Sequence, residues 1–426
     1  MWFAARPMPA VARRLGLQAR GSGYWIPSLL EAASRQDGLK FAVTTLRSGR
    51  DMQFTEDGVD YFVVSSPPRM YPRRTQQMLR CCAQVAESWR PDLIHVHGCE
   101  TPFGLLEPMG LAPCPVVVSL QGVLEAYREH LFGVLSRREI LSACRARDLL
   151  TGRGLLWDWW RMGAMVRRER AILAAIRHGI GRTTWDRAQL QAHSPAATYH
   201  HVGEILRPVF FHRRWRLRLV DRNCLFVTNA RAPEKGLEVL LEAMARLRRH
   251  CPNLHLRVAG QTNAGYAAFL RKHVHLRGLD GHVKFLGYLD GDALCEQLTR
   301  AHLFVLPSCI ENSPNSLGEA MLLGMPCVAS EVGGVPSMLD HARTGLLVPS
   351  RDPAAMAEAI AALLDNDRMA QDIGDAARQE ASRRHAAGRV VKELVSAYRA
   401  IVGRDAEPRR GSSLAAESSP ACGGLA

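Results

Sequence analysis

The sequence predicts an α/β protein with two doubly wound domains, each built on a parallel sheet that helices cover. Short apolar runs such as PVVVS (115–119) and LFVLP (303–307) alternate with helical patterns along most of the chain. Strands that alternate with helices in this way form parallel sheets. The length of 426 residues is sufficient for two domains with separate cores.

Composition narrows the class of protein further. The hydrophobic content of 47% and the charged content of 23% are ordinary for a globular protein. No apolar run reaches the roughly 18 residues that a membrane-spanning helix needs, and we expect no signal peptide. The 11 cysteines are scattered without a CxxC pair. This pattern indicates neither a zinc site nor a disulfide framework, and it predicts a cytoplasmic protein.

The net charge of +14 is carried almost wholly by arginine. Positive charge of this size favours an anionic partner, either a membrane surface or a nucleic acid. Genomic composition is an alternative explanation of the arginine content. The charge is spread along the chain and no nucleic-acid-binding motif occurs, so we expect no nucleic-acid partner.

The first strand and helix surround a pair of glycines. WFAA (2–5) is a strand whose beginning looks lost, and an amphipathic helix runs from about 24 to 35. Gly21 and Gly23 lie just before this helix. A glycine turn that leads into a helix is typical of a phosphate site, although a simple turn explains two glycines equally well.

Three polar residues follow strand ends in the rest of the first domain. His97, Glu100 and Gln121 fall at the edge where ligands of parallel sheets bind. A structural histidine is the alternative for His97. The strands are predicted at 39–46, 60–66, 92–97 and 115–122, and a helix at 75–89.

Residues 123–177 are helical in pattern, basic and rich in tryptophan. Trp157, Trp159 and Trp160 lie beside several arginines, a pattern typical of an amphipathic helix at a membrane interface. Tryptophan suits the headgroup zone and arginine suits anionic lipid. A core helix with a solvated basic face is the alternative.

The basic run HRRWRLRLVDR (212–222) marks the expected boundary between the domains. Before this run, the segment GIGRTTWDRAQLQA is predicted as a strand that leads into a helix, with Thr183 or Thr184 as N-cap. The last residues are rich in Ser, Ala, Gly and Pro and should be disordered. The predicted organisation is a first domain over 1–207, a hinge over 208–222, a second domain over 223–385, a C-terminal helix over 386–404 and a disordered tail over 405–426.

Two cations follow the buried strand CLFVTNA (224–230) of the second domain. Arg231 and Lys235 suit the negative charge that grows on a diphosphate leaving group, although surface cations are usually only solvated. Asp290 and Asp292 form a D-x-D pattern. Their position before a helix favours an N-cap over a metal site.

The stretch 303–339 reads as strand, polar loop, helix, strand and a Gly333-Gly334 turn. Glu311 is expected in the loop and Glu319 in the first turn of the helix, where both suit the hydroxyls of a nucleotide sugar. Ser316 and Glu319 also fit a capping box, which would give Glu319 only a structural role. The glycines would let backbone approach a ligand.

The segment ENSPNSLGEAMLLGMPCVAS and its following glycines resemble the E-x7-E segment of the retaining glycosyltransferases of family 4, glycosyl transferases group 1. The pattern R-x-x-x-K-G from Arg231 resembles the diphosphate-binding pattern of the same family. The resemblance covers nearly the whole chain to about residue 400. It implies the GT-B fold, in which two Rossmann-like domains face a cleft and the last helix returns to the first domain.

The resemblance also implies roles for individual residues. Glu311 would contact the transferred sugar and Glu319 the ribose. Many members of the family carry histidine where this sequence has Gln121, which cannot carry charge. The implied catalytic residues are Glu311, Arg231 and Lys235; the donor-binding residues are Glu319, Ser313, Asn315, Ser316, Gly333, Gly334 and Gly287; the acceptor-side residues are Gly21, Gly23, His97 and Gln121.

The implied reaction moves a sugar, with retention, from a nucleoside diphosphate to a hydroxyl of a glycan or lipid-linked acceptor in cell-surface polysaccharide synthesis. We expect no cofactor and no metal, and a location in the cytoplasm or at the inner face of the cell membrane. A nucleotide-sugar epimerase or a non-catalytic GT-B binding subunit is the alternative, because Gln121 and the short first strand depart from the family pattern.

Overall fold

The structure consists of two parallel sheets, each with helices packed on both faces, so the predicted α/β class with two doubly wound domains is confirmed. Along the first strand, Trp2 and Ala4 point into one core and Phe3 into another, because successive side chains of a strand face opposite sides. The computed structural model describes residues 1–17, 25–65, 72–144, 147, 152, 154–228, 230–262 and 264–405.

Eight strands form the first sheet: β1 (Trp2–Ala4), β2 (Phe41–Arg47), β3 (Met52–Glu56), β4 (Val59–Ser65), β5 (Ile94–His97), β6 (Val116–Ser119), β7 (His178–Gly181) and β8 (Thr198–His201). Their order is β3-β4-β2-β1-β5-β6-β7-β8. All neighbouring strands are parallel except β3 and β4. The parallel arrangement brings the carboxyl ends of β1, β5, β6 and β7 to a single edge.

Strand β3 differs from the prediction, which contained only parallel strands. It pairs antiparallel with β4 through a turn at Asp57 and Gly58, whose φ angles are 52° and 75°. Positive φ at two consecutive residues is the geometry of a tight hairpin turn. The side chains of β3 are half-buried or exposed, because β3 forms the sheet edge, and this weak apolar pattern did not predict a strand.

The helices of the first domain connect its parallel strands. Thr183 caps the last of them by accepting a hydrogen bond from the Asp186 amide at 3.1 Å, so the predicted choice between Thr183 and Thr184 is settled for Thr183. The helices are α1 (Pro9–Arg14), α2 (Trp25–Ser34), α3 (Pro72–Trp89), α4 (Leu124–His130), α5 (Arg137–Ser142), α6 (Leu155–Ala175) and α7 (Thr184–His193).

Six parallel strands form the second sheet: β9 (Asp221–Thr228), β10 (His255–Ala259), β11 (Val283–Gly287), β12 (Ala301–Leu306), β13 (Cys327–Ser330) and β14 (Leu346–Val348), in the order β11-β10-β9-β12-β13-β14. The helices that follow the first domain are α8 (Val209–His212), α9 (Leu237–Leu247), α10 (Ala264–Leu276), α11 (Gly291–Arg300), α12 (Asn315–Leu323), α13 (Pro353–Leu364), α14 (Asp367–Arg384) and α15 (Ala387–Asp405).

The last helix of the described chain, α15, packs on the first domain. Val390, Leu394 and Ile401 are fully buried in the same core as Trp2. The indole nitrogen of Trp2 donates to the Tyr398 hydroxyl at 2.8 Å. Because α15 follows the second domain along the chain, this packing ties the two domains together a second time.

The helical segment 123–177 contacts both domains. Leu155 and Ala143 are buried in a core that belongs mainly to the second domain. Trp159 and Trp160 lie on the outer face and are 40% and 66% exposed. Among the described residues, no helix combines the length and the apolar character needed to cross a bilayer.

Candidate active site between the two sheets

The carboxyl ends of the two sheets face a cleft, and loops of the second domain touch the first domain at one end of it. The Thr183 hydroxyl donates to Asn312 Oδ1 at 2.9 Å, and Asn312 Nδ2 donates to the Leu120 carbonyl at 3.3 Å. Asn312 is only 1% exposed. A buried amide needs partners for both of its ends, so the loop after β12 is held by the first domain.

Glu311 lies in this loop, with its carboxylate buried against a lysine. The Lys235 ammonium donates to Glu311 Oε1 at 2.6 Å, and the Ser308 hydroxyl donates to the same oxygen at 2.9 Å. The Lys235 and Glu311 side chains are 14% and 10% exposed. Within the described chain, Glu311 Oε2 accepts no hydrogen bond. The loop therefore presents one paired and one unpaired carboxylate oxygen.

A glycine allows the Lys235 loop to approach the Glu311 loop. Lys235 ends the short 3₁₀ helix Pro233–Lys235, and Gly236 follows with a φ of 66°. A Cβ at Gly236 would stand 1.9 Å from the carbonyl oxygen of Pro307. Only glycine combines this backbone conformation with this contact, so the ion pair depends on it.

The first domain reaches the ion pair through Tyr127 on α4. Lys235 Nζ lies 5.8 Å from the centroid of the Tyr127 ring, within the range of a cation–π interaction. Burial alone would lower the pKa of Lys235, but the charge of Glu311 and the Tyr127 phenol raise it above its usual value. Lys235 therefore remains an ammonium ion at neutral pH.

The Gly333-Gly334 turn packs directly on the backbone of the Glu311 loop. A Cβ on Gly333 would stand 1.9 Å from the Glu311 carbonyl oxygen, and one on Gly334 would stand 2.0 Å from that of Asn312. The Gly334 amide donates to the Glu311 carbonyl at 3.0 Å. Any side chain would push the two loops apart, so the glycines set the position of Glu311.

Glu319 lies on α12, which begins at Asn315 after Pro314 and has no side-chain cap. The capping-box alternative for Ser316 and Glu319 is therefore wrong, and Glu319 lies in the second turn rather than the first. Its carboxylate accepts two hydrogen bonds from Arg207, from Nε and Nη2, each at 2.7 Å. Burial raises the pKa of Glu319, and Arg207 opposes part of this rise.

The remaining predicted donor-side residues differ in what they contact. The Ser313 hydroxyl donates to Glu204 Oε1, on the segment between the sheets, at 2.7 Å. Asn315 and Ser316 are half-buried at the start of α12. Arg231 is exposed and forms no hydrogen bond or ion pair with any residue in the described ranges, so its charge is available to a ligand.

A cavity of about 430 Å³ opens at the carboxyl ends of β10 and β11. Gln261, Arg271 and Phe285 line it together with Gly287, the last residue of β11. Gly287 has a φ of 70° and turns the chain toward α11. Of the predicted donor-binding residues, Gly287 is thus the one that borders this cavity.

The acceptor-side residues lie at the edge of the first sheet where they are described. His97 is 2% exposed and lies between Trp2 and His95, with ring centroids 4.5 Å and 4.0 Å away. Its two ring nitrogens have no hydrogen-bond partner among the described residues. Gln121 is half-buried just past β6. Gly21 and Gly23 lie outside the described residues.

Several residues in contact with the predicted site were not predicted as part of it, among them Tyr127, Glu204, Arg207, Ser308 and Asn312. Asn312 is adjacent to Glu311 in sequence, and that position is the one signal that pointed to it. Arg207 and Glu319 are 112 residues apart, and no local pattern connects them.

Side chains of the metal-ligand type also meet at the opposite end of the second sheet. Ligand atoms of Asp221, Cys224 and His255 lie within 4.8 Å of one another. Asp221 already accepts from His255 Nε2 at 2.9 Å and from Arg257. The Asp290 side chain of the D-x-D pattern caps α11, accepting from the Ala293 amide at 2.9 Å, as predicted.

Comparison with known proteins bears on both domains. Residues 211–380 match the family model of glycosyl transferases group 1, which confirms that part of the resemblance. Glycogen synthase of Mycobacterium tuberculosis is 28% identical over 300 residues, 68% of this chain and 64% of that protein. The chain thus spans less than two thirds of that relative's length.

A second relative and a solved structure complete the comparison. The GDP-mannose-dependent alpha-(1-6)-phosphatidylinositol monomannoside mannosyltransferase of M. tuberculosis is 33% identical over 174 residues, 39% of this chain and 44% of that protein. Sucrose-phosphate synthase of Thermosynechococcus elongatus superimposes with a TM-score of 0.70 at 19% identity, covering 91% of this chain and 94% of that one. This likeness over both domains confirms the GT-B fold.

Proposed function

Because residues 211–380 match glycosyl transferases group 1 and the chain has the GT-B fold, we propose that this protein is a retaining glycosyltransferase of family 4. It moves a sugar from a nucleoside diphosphate to a hydroxyl of a glycan or lipid-linked acceptor. The observation that carries the proposal is the buried Lys235–Glu311 pair at the cleft. A cation beside a carboxylate whose second oxygen accepts no hydrogen bond from the described residues suits a sugar and its departing diphosphate.

The order of groups along the second domain suits an extended nucleotide sugar. The cavity beside Gly287 is within the usual size range of small-molecule pockets and would hold the base. The chain then enters α11 at Gly291, where Arg207 Nη1 lies 3.5 Å from the position of a Cβ. Arg207 holds Glu319, so the ribose would lie between the cavity and Glu311.

The proposed mechanism is electrostatic. Negative charge grows on the diphosphate as the glycosyl bond breaks, and Lys235 and Arg231 stabilise it more in the transition state than in the bound substrate. Glu311 Oε2 accepts a hydrogen bond from a sugar hydroxyl and orients the ring. The mechanism uses no nucleophilic side chain, no cofactor and no metal, so a chelator should leave the rate unchanged.

The proposed acceptor is presented at the inner face of the cell membrane, for cell-surface polysaccharide synthesis. Trp160 is 66% exposed on α6, and Arg128 stacks on the neighbouring Trp159 with its guanidinium carbon 4.1 Å from the ring centroid. Exposed tryptophan with arginine suits an anionic headgroup layer. Sedimentation with anionic vesicles should weaken in Trp160→Ser; unchanged sedimentation would remove this part of the proposal.

Thermal-shift measurements with UDP, GDP and ADP and their sugars, without metal, test the proposal as a whole. Binding of one nucleotide class to the folded state should raise the melting temperature, and Glu311→Gln should keep that response while losing sugar transfer. A protein that responds to no nucleotide contradicts the proposal. A protein that binds a nucleotide sugar but transfers it to no acceptor favours the epimerase or binding-subunit alternative.

A further inference from the structure

Arg207 lies on the segment that joins β8 to β9, outside both sheets, yet it contacts a predicted donor-binding carboxylate. Nε and Nη2 donate to Glu319 Oε1 and Oε2, each at 2.7 Å. The two side chains are 19% and 5% exposed. A pair of hydrogen bonds from one planar group fixes the plane of the carboxylate as well as its distance.

Neighbouring groups hold the Arg207 guanidinium in place. Its central carbon lies 4.9 Å from the centroid of the fully buried Phe210 ring. On another side, Nη1 lies 3.5 Å from the position that a Cβ on Gly291 would occupy. The arginine is therefore held by packing, and Glu319 receives a rigid partner.

Apart from the two bonds from Arg207, the Glu319 carboxylate accepts no hydrogen bond from the described residues. An ionised carboxylate offers about four lone-pair sites on its two oxygens, and Arg207 occupies one on each oxygen. The remaining pair is held in a fixed plane. Two adjacent hydroxyls on one sugar ring are the donors that such a pair of acceptors fits.

We propose that Arg207 is a positioning residue for the nucleoside-diphosphate donor, which holds the Glu319 carboxylate so that both its oxygens accept the two vicinal hydroxyls of the ribose. The inference rests on the proposed function. It adds a residue from the segment between the domains to the donor site, so that the donor is bound across the connection as well as by the second domain.

The positive charge of Arg207 also favours the ionised form of Glu319. Burial raises the pKa of Glu319, and the hydrogen bonds and charge of Arg207 oppose this. A neutral carboxyl loses acceptor capacity, so donor affinity falls as the pH falls through the pKa of Glu319. Without Arg207 that pKa rises further, and the affinity is lost at a higher pH than in the wild type.

Other titratable groups around α12 do not replace Arg207. Burial raises the pKa of the Cys295 thiol to about 11 and lowers that of His385, so both are neutral at neutral pH. Arg378 donates to the backbone carbonyls of Leu322 and Phe211 rather than to Glu319. Titratable or charged side chains on or next to the elements packed around α12 include His212, Arg213, Asp292, Cys295, Glu296, Arg300, His302, Cys327, Arg378 and His385.

The test compares Arg207→Met and Arg207→Lys with the wild type in donor affinity and in steady-state transfer over a range of pH. Loss of an anchored charge pair is worth about 1.5–3 kcal/mol, or roughly 10- to 150-fold in affinity. We therefore expect Arg207→Met to raise the donor KM by this factor, to change kcat much less, and to move the pH at which affinity is lost upward. Lysine should restore the pH profile but only part of the affinity, because it keeps the charge without the planar fork.

Arg222→Met is the matched control. Arg222 also forms a two-point pair, with Asp367 at 2.5 and 2.6 Å, but on the surface, where both side chains are about half exposed. Its removal should leave donor affinity and pH profile unchanged. If Arg207→Met and Arg207→Lys melt at lower temperature but keep the wild-type donor KM and pH profile, the role is only structural and the inference is overturned. A wild type that binds no nucleotide overturns the proposed function as well, so the two failures are distinguishable.

Discussion

The two glutamates of the second domain are both buried and both paired with a cation, but the pairs are built differently. Glu311 uses one oxygen for Lys235 and Ser308, and its other oxygen is unpaired among the described residues. Glu319 gives both oxygens to Arg207. Glu311 lies in a loop whose position depends on glycine contacts, whereas Glu319 lies on a helix.

This difference in construction indicates that the two ion pairs have different functions. A lysine ammonium on a flexible stem can turn from Glu311 toward a new anion, and Arg231 nearby is already exposed. A guanidinium in a two-point pair cannot turn without breaking both bonds. We therefore expect the Lys235–Glu311 pair to act on the reacting end of the donor, and the Arg207–Glu319 pair to bind its nucleoside end.

Of the variants that distinguish the two ion pairs, Lys235→Met should have the largest kinetic effect. Removing one preorganised charge that stabilises a leaving group costs about 10²- to 10³-fold in kcat, whereas Arg207→Met should act mainly on KM. Single-turnover transfer rates at saturating donor measure the difference. Lys235→Arg, which keeps the positive charge, should recover part of the rate.

The comparison fails if both cation variants change the same kinetic constant. Because Lys235→Met leaves Glu311 buried without its cation, unfolding must be measured in parallel. A variant that still shows the thermal shift with nucleotide is folded, and its kcat is then meaningful.

Gly334→Ala should displace the loop that carries Glu311 and leave the Arg207–Glu319 pair unchanged. The new Cβ would stand 2.0 Å from the Asn312 carbonyl oxygen and 2.6 Å from Thr183 Cγ2. Overpacking of this kind lowers the free energy of unfolding by about 1–3 kcal/mol, and the displaced loop should lower kcat more than donor affinity. Chemical denaturation and transfer kinetics measure both effects.

Gly388→Ala is the control for the glycine variant. Nothing lies within 4 Å of the position of its Cβ, and α15 is a helix, where alanine is favoured over glycine by roughly 0.5–1 kcal/mol. It should be neutral or stabilising. Equal destabilisation by both substitutions would show that the close loop contact at Gly334 has no special role.

Ser308→Ala should give the smallest effect. It removes one of the two hydrogen bonds to Glu311 Oε1 and leaves Lys235 in place. A single bond to a charged group is worth about 1.5 kcal/mol at the low end, or roughly tenfold in kcat/KM. Ser34→Ala removes a surface hydroxyl that donates to the Glu31 carbonyl at 3.1 Å and should leave kcat/KM unchanged. A larger loss of kcat/KM in Ser308→Ala than in Lys235→Met would reverse the assigned importance of the two donors.

Much of the fold follows from local patterns. Buried runs such as LFVLP and CVAS predicted β12 and β13 because parallel strands are apolar on both faces. Helix α14 was not predicted, because most of its buried residues are alanine or glycine and give little apolar signal. Strand β3 was missed because an edge strand needs little apolar surface, although Asp57-Gly58 is a hairpin signal.

The sequence predicted individual residues of the candidate site but not which of them contact each other. Glu311 and Lys235 were predicted separately from the patterns around them, and their 2.6 Å contact joins loops 76 residues apart. The capping box at Ser316 was wrong because Pro314 starts α12 and Glu319 turns to Arg207 instead. Nothing local identifies a partner on another element.

The sequence by itself determined most of the succession of strands and helices along the chain, with β3 and α14 as exceptions. It also determined the loops at the carboxyl edges and the glutamates and cations on them, because these depend on residues close in the chain. Only the tertiary structure decided which cation meets which glutamate and which oxygen stays unpaired. Those outcomes depend on how the two sheets and their connecting segment pack, and packing brings together groups such as Asn312 and Leu120 that lie 192 residues apart.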